Sequence, residues 1–186
     1  MKKLLEYGGI AASVVLIVAG TGAIVTGFNG RDRVRDDLAR EKIVGTPDSS
    51  IPGQLVDTGK EAESFSAVMR KHALEATGGR TYAEMGRFID KNGKETNDEQ
   101  KAAKDPKTGQ PVENGARNIW VTETGLSTAL NVAYFAERVS EFAILMGFAL
   151  LLTGIGFLVL TIRVLRQATS ESREPLTTGS AAPAAS

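Results

Sequence analysis

Two long uncharged runs divide the chain. Residues 8–28 and residues 142–162 each contain 21 positions without Asp, Glu, Lys or Arg. A helix needs about 20 such residues to cross the hydrocarbon core of a bilayer, and shorter runs belong to ordinary cores. Charges bracket both runs: Lys2, Lys3 and Glu6 before the first and Arg31 after it, Arg138 and Glu141 before the second and Arg163 after it. The pattern predicts two transmembrane helices, 8–28 and 142–162. The competing readings are a pair of buried helices in a soluble protein and, for the first run, a cleaved signal peptide with Lys2 and Lys3 as its basic start. The first run is longer than the ~7–15 residues of a signal core, and no Ala-x-Ala site ends it.

The polar middle, 29–141, reads as partly helical and partly irregular. Val34 and Leu38 lie four apart, and Arg33–Asp37 and Asp36–Arg40 are opposite charges at the same spacing, so the first span continues as a polar helix over 29–43. Gly45, Pro47, Pro52 and Gly53 then break it. Thr58 followed by Glu61 has the capping-box spacing, and Ala62, Phe65, Met69, Ala73 and Ala76 recur at helical intervals up to Gly78 and Gly79. A helix over about 59–77 follows. Thr81 and Glu84 repeat the box and predict a short helix through Phe88. Residues 91–118 carry only Ala102, Ala103, Val112 and Ala116 as apolar positions, and their Asn92–Gly93 and Thr108–Gly109 pairs are turn signals, so this stretch is predicted to be a solvated loop. From about Thr124, the positions Leu126, Leu130, Ala133, Val139 and Phe142 lead as one long helix into the second span.

Composition sharpens this division. Mean hydropathy is −0.09, an average over two apolar blocks and a polar remainder. Between Thr46 and Ala116 only nine of 71 residues are Leu, Ile, Val or Phe, below the ~20% of ordinary foldable chains. The middle must therefore lie on the membrane-proximal helices or on a partner. Lys+Arg and Asp+Glu balance at 22 each, which speaks against a nucleic-acid partner. The short ends, 1–7 and 163–186, carry net +2 and the middle net −2. Long loops cross largely regardless of charge, so the short ends place both termini in the cytoplasm and 29–141 outside. The tail beyond Arg166 is mainly Ser, Thr, Ala, Pro and Gly and is expected to be disordered.

Candidate chemistry is sparse. There is no Cys, which removes disulfides, thiolate metal sites and Cys nucleophiles. His72 is the single imidazole; with Glu75 it offers two ligands on one helical face, short of a metal site. The segment from Asp90 has Glu95 and Lys101 where a calcium loop needs Gly and Glu, so it is not one. No phosphate loop or catalytic motif is present. In the spans, Ala19, Ala23 and Gly27, and likewise Ala143 and Gly147, lie four apart and mark helix-packing faces.

The stretch from His72 to Met85 and the stretch from Trp120 to Glu137, set in a two-span layout, resemble a group of uncharacterised actinobacterial two-span membrane proteins. The resemblance covers about Leu4 to Arg163 except 91–118. Members of that group often bear the name aromatic ring-opening dioxygenase. Oxygenases of that type use two His and a carboxylate, and this chain has one His. The resemblance thus implies a fold and a membrane address and no reaction. It marks His72, Gly78, Gly79, Tyr82 and Trp120, with Tyr134 and Phe135, as a candidate interaction surface. The expectation is an all-α membrane protein, a two-transmembrane helical hairpin with a partly helical, partly irregular extracytoplasmic region. It is read as non-enzymatic and without a cofactor. The expected partners are the lipid bilayer and a membrane or envelope protein; the alternative is a self-associating homo-oligomer that shapes or permeabilises the membrane. A membrane-bound enzyme centred on His72 and Glu75 is the remote third reading.

Overall fold

The computed structural model describes residues 2–171, with side chains from 7 to 163. The chain is mostly helical, with little strand. Helix α1 is Lys2–Glu41, α2 is Gly59–Ala76 and α3 is Gly115–Glu171; a single 3-10 turn, Tyr82–Glu84, and two short strands, β1 (Phe88–Ile89) and β2 (Glu95–Thr96), lie between α2 and α3. Two helices are long and apolar enough to cross a membrane, and only 11% of the most apolar window of each is buried. The chain forms two compact units, one from the residues up to Thr26 with those from Ala143 onward, the other Gly27–Phe142.

In the first unit α1 and α3 pack antiparallel through small residues. A Cβ added to Gly20 would sit 2.7 Å from the Gly147 carbonyl oxygen, and one on Gly147 would sit 2.8 Å from the Ile24 nitrogen. Gly9 faces Thr161, and Gly154 faces Ile17. The close approaches recur at seven-residue intervals, Gly147, Gly154 and Thr161 on α3, because nearly aligned helices meet once every two turns. Of the four-residue stripe expected on α1, Gly27 is buried, Ala23 half-buried and Ala19 exposed; the buried line is Ser13, Gly20 and Gly27, spaced by seven. On α3, Gly147 is buried at the contact and Ala143 is half-buried. Four hydroxyls along these apolar stretches donate within their own helix: Ser13 Oγ to the Gly9 carbonyl at 2.7 Å, Thr21 Oγ1 to that of Ile17, Thr153 Oγ1 to that of Ala149 and Thr161 Oγ1 to that of Phe157 at 2.8 Å.

The second unit is built around Leu38 of α1, Ala62 and Phe65 of α2, Leu130 of α3, and Ile51 and Val56 of the intervening loop. α1 ends where Lys42 adopts φ 52°. The loop then folds back on itself, with Gly45 N–H donating to the Gln54 carbonyl at 2.8 Å and Val56 N–H to that of Ile43 at 2.8 Å. That clasp lays Ile51 and Val56 on the core. α2 opens with the predicted capping box: the Glu61 N–H donates to Thr58 Oγ1 and the Thr58 N–H to Glu61 Oε2. It closes through Gly78 and Gly79, at φ 64° and 79°, where the Gly79 N–H reaches the Leu74 carbonyl at 2.7 Å.

One carboxylate joins all three helices of this unit. Glu137 on α3 is 5% exposed. Its Oε1 accepts from Arg35 Nε of α1 at 2.6 Å, and its Oε2 from the Gly59 N–H at the start of α2 at 2.6 Å. The Glu137 hydrogen bond raises the Arg35 pKa further. Gly59 must lack a side chain, because a Cβ there would lie 2.9 Å from the Tyr134 Cα.

Several sequence expectations change here. The Thr81–Glu84 box caps only the 3-10 turn Tyr82–Glu84, and Phe88 belongs to a strand instead. The stretch 91–118 is not a featureless loop. β1 pairs antiparallel with β2, and Phe88↔Glu113, Asp90↔Ala102 and Lys104↔Pro111 form further bridges. Its turns are closed by side chains: Asp90 Oδ1 accepts from the Asn92 and Lys94 N–H groups and Asp105 Oδ1 from those of Lys107 and Thr108. α3 starts at Gly115 rather than about Thr124, because buried Asn114 accepts from the Ala116 N–H as its N-cap. α3 also extends to Glu171, into the segment expected to be disordered; the rest of that tail, 172–186, lies outside the described residues.

Two outcomes follow. Gly20→Val inserts atoms where backbones touch and should destabilise the first unit by about 1–3 kcal/mol, read by denaturant titration in detergent; an unchanged midpoint would contradict the packing. Glu137→Ala should lower the stability of the second unit by about 1–3 kcal/mol, and Gly59→Ala should also destabilise it, both measured by the loss of helical signal on urea unfolding.

Candidate docking groove

α2 and the beginning of α3 lie side by side along a polar ladder. Ser66 Oγ accepts from Asn131 Nδ2 at 3.0 Å, and Arg70 pairs with Glu123 at 3.0 Å. Glu123 is 2% exposed and also accepts from Ser127 Oγ. Arg70 lies over the Trp120 ring, 4.6 Å from its centroid. Burial of Glu123 is tolerable because both carboxylate oxygens are hydrogen-bonded.

Beyond this ladder the helices leave an open groove of about 460 Å³, walled by Met69, His72, Ala73 and Ala76 of α2 and by Asn118, Ile119 and Thr122 of α3, with Glu123 at its base. The lining is mostly apolar with a few polar groups, the composition of a ligand or peptide site.

His72 sits on its rim. Its Nε2 lies 2.9 Å from Asp48 Oδ2, and Lys71 Nζ lies 3.1 Å from the same oxygen. Asp48 is held well below the usual carboxylate range, first by the His72 hydrogen bond, then by Thr46 and Lys71. Lys71 is raised in turn by Asp48. The contact pins the 43–57 loop to α2 through His72 Nε2. Among the described residues, no group of three or more His, Cys, Asp or Glu is placed to hold a metal.

The remaining marked residues fall in separate places. Gly78 and Gly79 form the exposed turn after α2, past Ala76 of the groove wall. Tyr82 is exposed with Arg117 stacked on it, 3.8 Å from the ring centroid. Arg117 also donates to the Met85 carbonyl at 3.4 Å, tying the 3-10 turn to α3. Tyr134 is half-buried under Arg138, 5.1 Å from its ring centroid, and its hydroxyl is the main cause of the raised Arg138 pKa. Phe135 is 67% exposed. Tyr134 and Phe135 lie roughly 21 Å along α3 from Trp120 at 1.5 Å per residue. The marked residues therefore lie apart: His72 on the rim of the α2–α3 groove, Tyr82 on the 3-10 turn, and Tyr134 and Phe135 farther along α3.

Sequence reasoning missed the groove's second wall, because it read Asn118 as loop. Asn114 followed by a helical stretch was the available signal. Glu95 was missed as an organiser: it accepts from the Gly86 N–H at 2.9 Å, from Arg80 at 2.9 Å and from Asn114 at 3.0 Å, and the Gly86 bond is the main force lowering its pKa.

No family model, curated protein or solved structure matches this chain.

Asp48 is depressed in the fold, so its contribution is complete above the unfolded carboxylate pKa of about 4 and is lost as pH falls through and below that value. Melting of the protein between pH 7 and pH 3 should show a smaller acid-induced drop for Asp48→Asn than for wild type; equal drops would contradict the His72–Asp48–Lys71 tie.

Proposed function

We propose that this is a non-enzymatic integral membrane protein, anchored by α1 and α3, whose Gly27–Phe142 unit docks a partner outside the cytoplasm as an accessory or scaffold subunit of a membrane or envelope complex. Membrane anchoring rests on the two apolar stretches whose side chains are largely exposed. Val15, Val18, Leu145 and Leu152 are each 65% or more exposed, and so long and continuous an uncharged apolar surface fits a lipid surrounding. The excess of positive charge at the chain's ends supports cytoplasmic termini. On this reading the protein belongs with the actinobacterial two-span proteins that its sequence resembles.

The observation that carries docking is the α2–α3 groove. It is open and mostly apolar, and of the residues of the core cluster and those packed on it only Met69 also lines it. A peptide segment with one apolar side chain seated against Ile119, Ala73 and Ala76 fits this lining.

The test is crosslinking in intact cells, mild solubilisation and mass spectrometry, with Ile119→Arg and Ala76→Arg run beside wild type. A stoichiometric partner should co-purify with wild type and fall by about tenfold or more with the variants, the loss of one central anchor. A partner retained equally by both variants, or none with wild type, would overturn the docking site.

A further inference from the structure

Within the Gly27–Phe142 unit, α3 has two faces. One carries buried Glu123, Ser127, Leu130 and Glu137. The other carries Val121, Gly125, Thr128, Val132, Phe135, Val139 and Phe142, all exposed, with Val132 60%, Phe135 67% and Phe142 61% exposed. These positions alternate by four and three residues, and none is charged. An amphipathic helix in a globular core has a period near 3.6, whereas a strict 3.5 marks a coiled-coil seam. Here the a positions are Gly125, Val132 and Val139, and the d positions are Val121, Thr128, Phe135 and Phe142. In the other unit the same spacing gives Met146, Ala149, Thr153, Gly156 and Leu160, all exposed.

Glycine supplies an independent observation. In a helix interior it is disfavoured relative to Ala. Gly147 and Gly154 of α3 abut α1, but Gly125 and Gly156 have nothing within 4 Å of an added Cβ. Past the first residue of α3, these are its two glycines that the single chain does not use, and both fall on the seam.

We propose that two copies of this chain pair in parallel through this face of α3. The flanking e and g positions, Thr122, Ala129, Ala136, Thr124 and Asn131, are uncharged, and Arg138 is paired to Glu141 of its own helix. Nothing along the seam repels an identical copy, and nothing offers an oppositely charged partner a preferred register. Copies held in one membrane orientation meet in parallel, which brings each layer against itself; in this respect the pairing rests on the membrane reading above, while the groove and its partner are independent of it.

The chain has no Cys, so single cysteines report contacts directly. Full-length protein in native membranes is oxidised with Thr128→Cys, Val132→Cys, Phe135→Cys or Val139→Cys, and with Glu63→Cys and Ala67→Cys on the exposed side of α2 as controls. Disulfide-linked dimer should exceed the controls by about tenfold at the seam positions, where only a parallel pair brings like Cβ atoms to bonding distance. Val132→Glu with Phe135→Glu should abolish the dimer and leave helical content and membrane recovery unchanged, since both side chains are exposed in the single chain. Seam yields equal to the controls, crosslinking at one seam position alone, or a dimer that survives the double variant would overturn the parallel pairing. Such failures leave the groove's partner test unaffected.

Discussion

The Gly27–Phe142 unit depends on the burial of one carboxylate. Glu137 is stable out of water only while it holds Arg35 of α1 and the first N–H of α2, so those groups must come together as the unit folds. The constraint reaches outward from there. Gly59 has to be glycine for α2 to come this near to Tyr134, and the Thr58–Glu61 box then satisfies the adjoining free N–H groups. With α2 fixed, Phe65 and Ala62 meet Leu130 and Leu38, and a region with few aliphatic residues acquires a core by borrowing side chains from α1 and α3. The same placement opens the groove in which His72, Ala76 and Ile119 lie.

The other unit is held by a different force. In the bilayer setting proposed above, apolar side chains gain little from leaving lipid, and close backbone packing decides helix association. Gly20 against Gly147 and Gly154 against Ile17 supply that packing, while valines and leucines face away from it. Both units thus use glycine where two backbones must touch.

The uncharged runs, the continuation of α1 as a charged helix and the capped start of α2 could be read from the sequence, because each rests on local spacing: absence of charge, opposite charges one helical turn apart, and a Thr–Glu box, although Arg40 pairs with Asp37 rather than at the expected four-residue spacing. What could not be read rests on contacts remote in the chain. Glu137 looks like any surface glutamate until Arg35 and Gly59 arrive beside it. The order within 91–118 comes from Asp90, Asp105 and Glu95 binding backbone N–H groups, which a count of apolar residues does not register. Of the stripe Ala19, Ala23 and Gly27, only Gly27 lies on the buried line with Ser13 and Gly20, because four-residue spacing describes one helix, whereas two nearly aligned helices select positions seven apart. Of the candidate site, His72 was found as a lone imidazole, but the α3 wall was lost because Asn114 lay inside the stretch read as a solvated loop and the helix was expected only from about Thr124.

The central claim is that α1 and α3 cross the membrane and hold the Gly27–Phe142 unit outside the cytoplasm. Because the chain has no native cysteine, labelling of Glu63→Cys in intact cells by a membrane-impermeant maleimide tests it most directly. The account predicts labelling of membrane-fraction protein without permeabilisation. Labelling only after permeabilisation, or recovery of the protein in the soluble fraction, would contradict it.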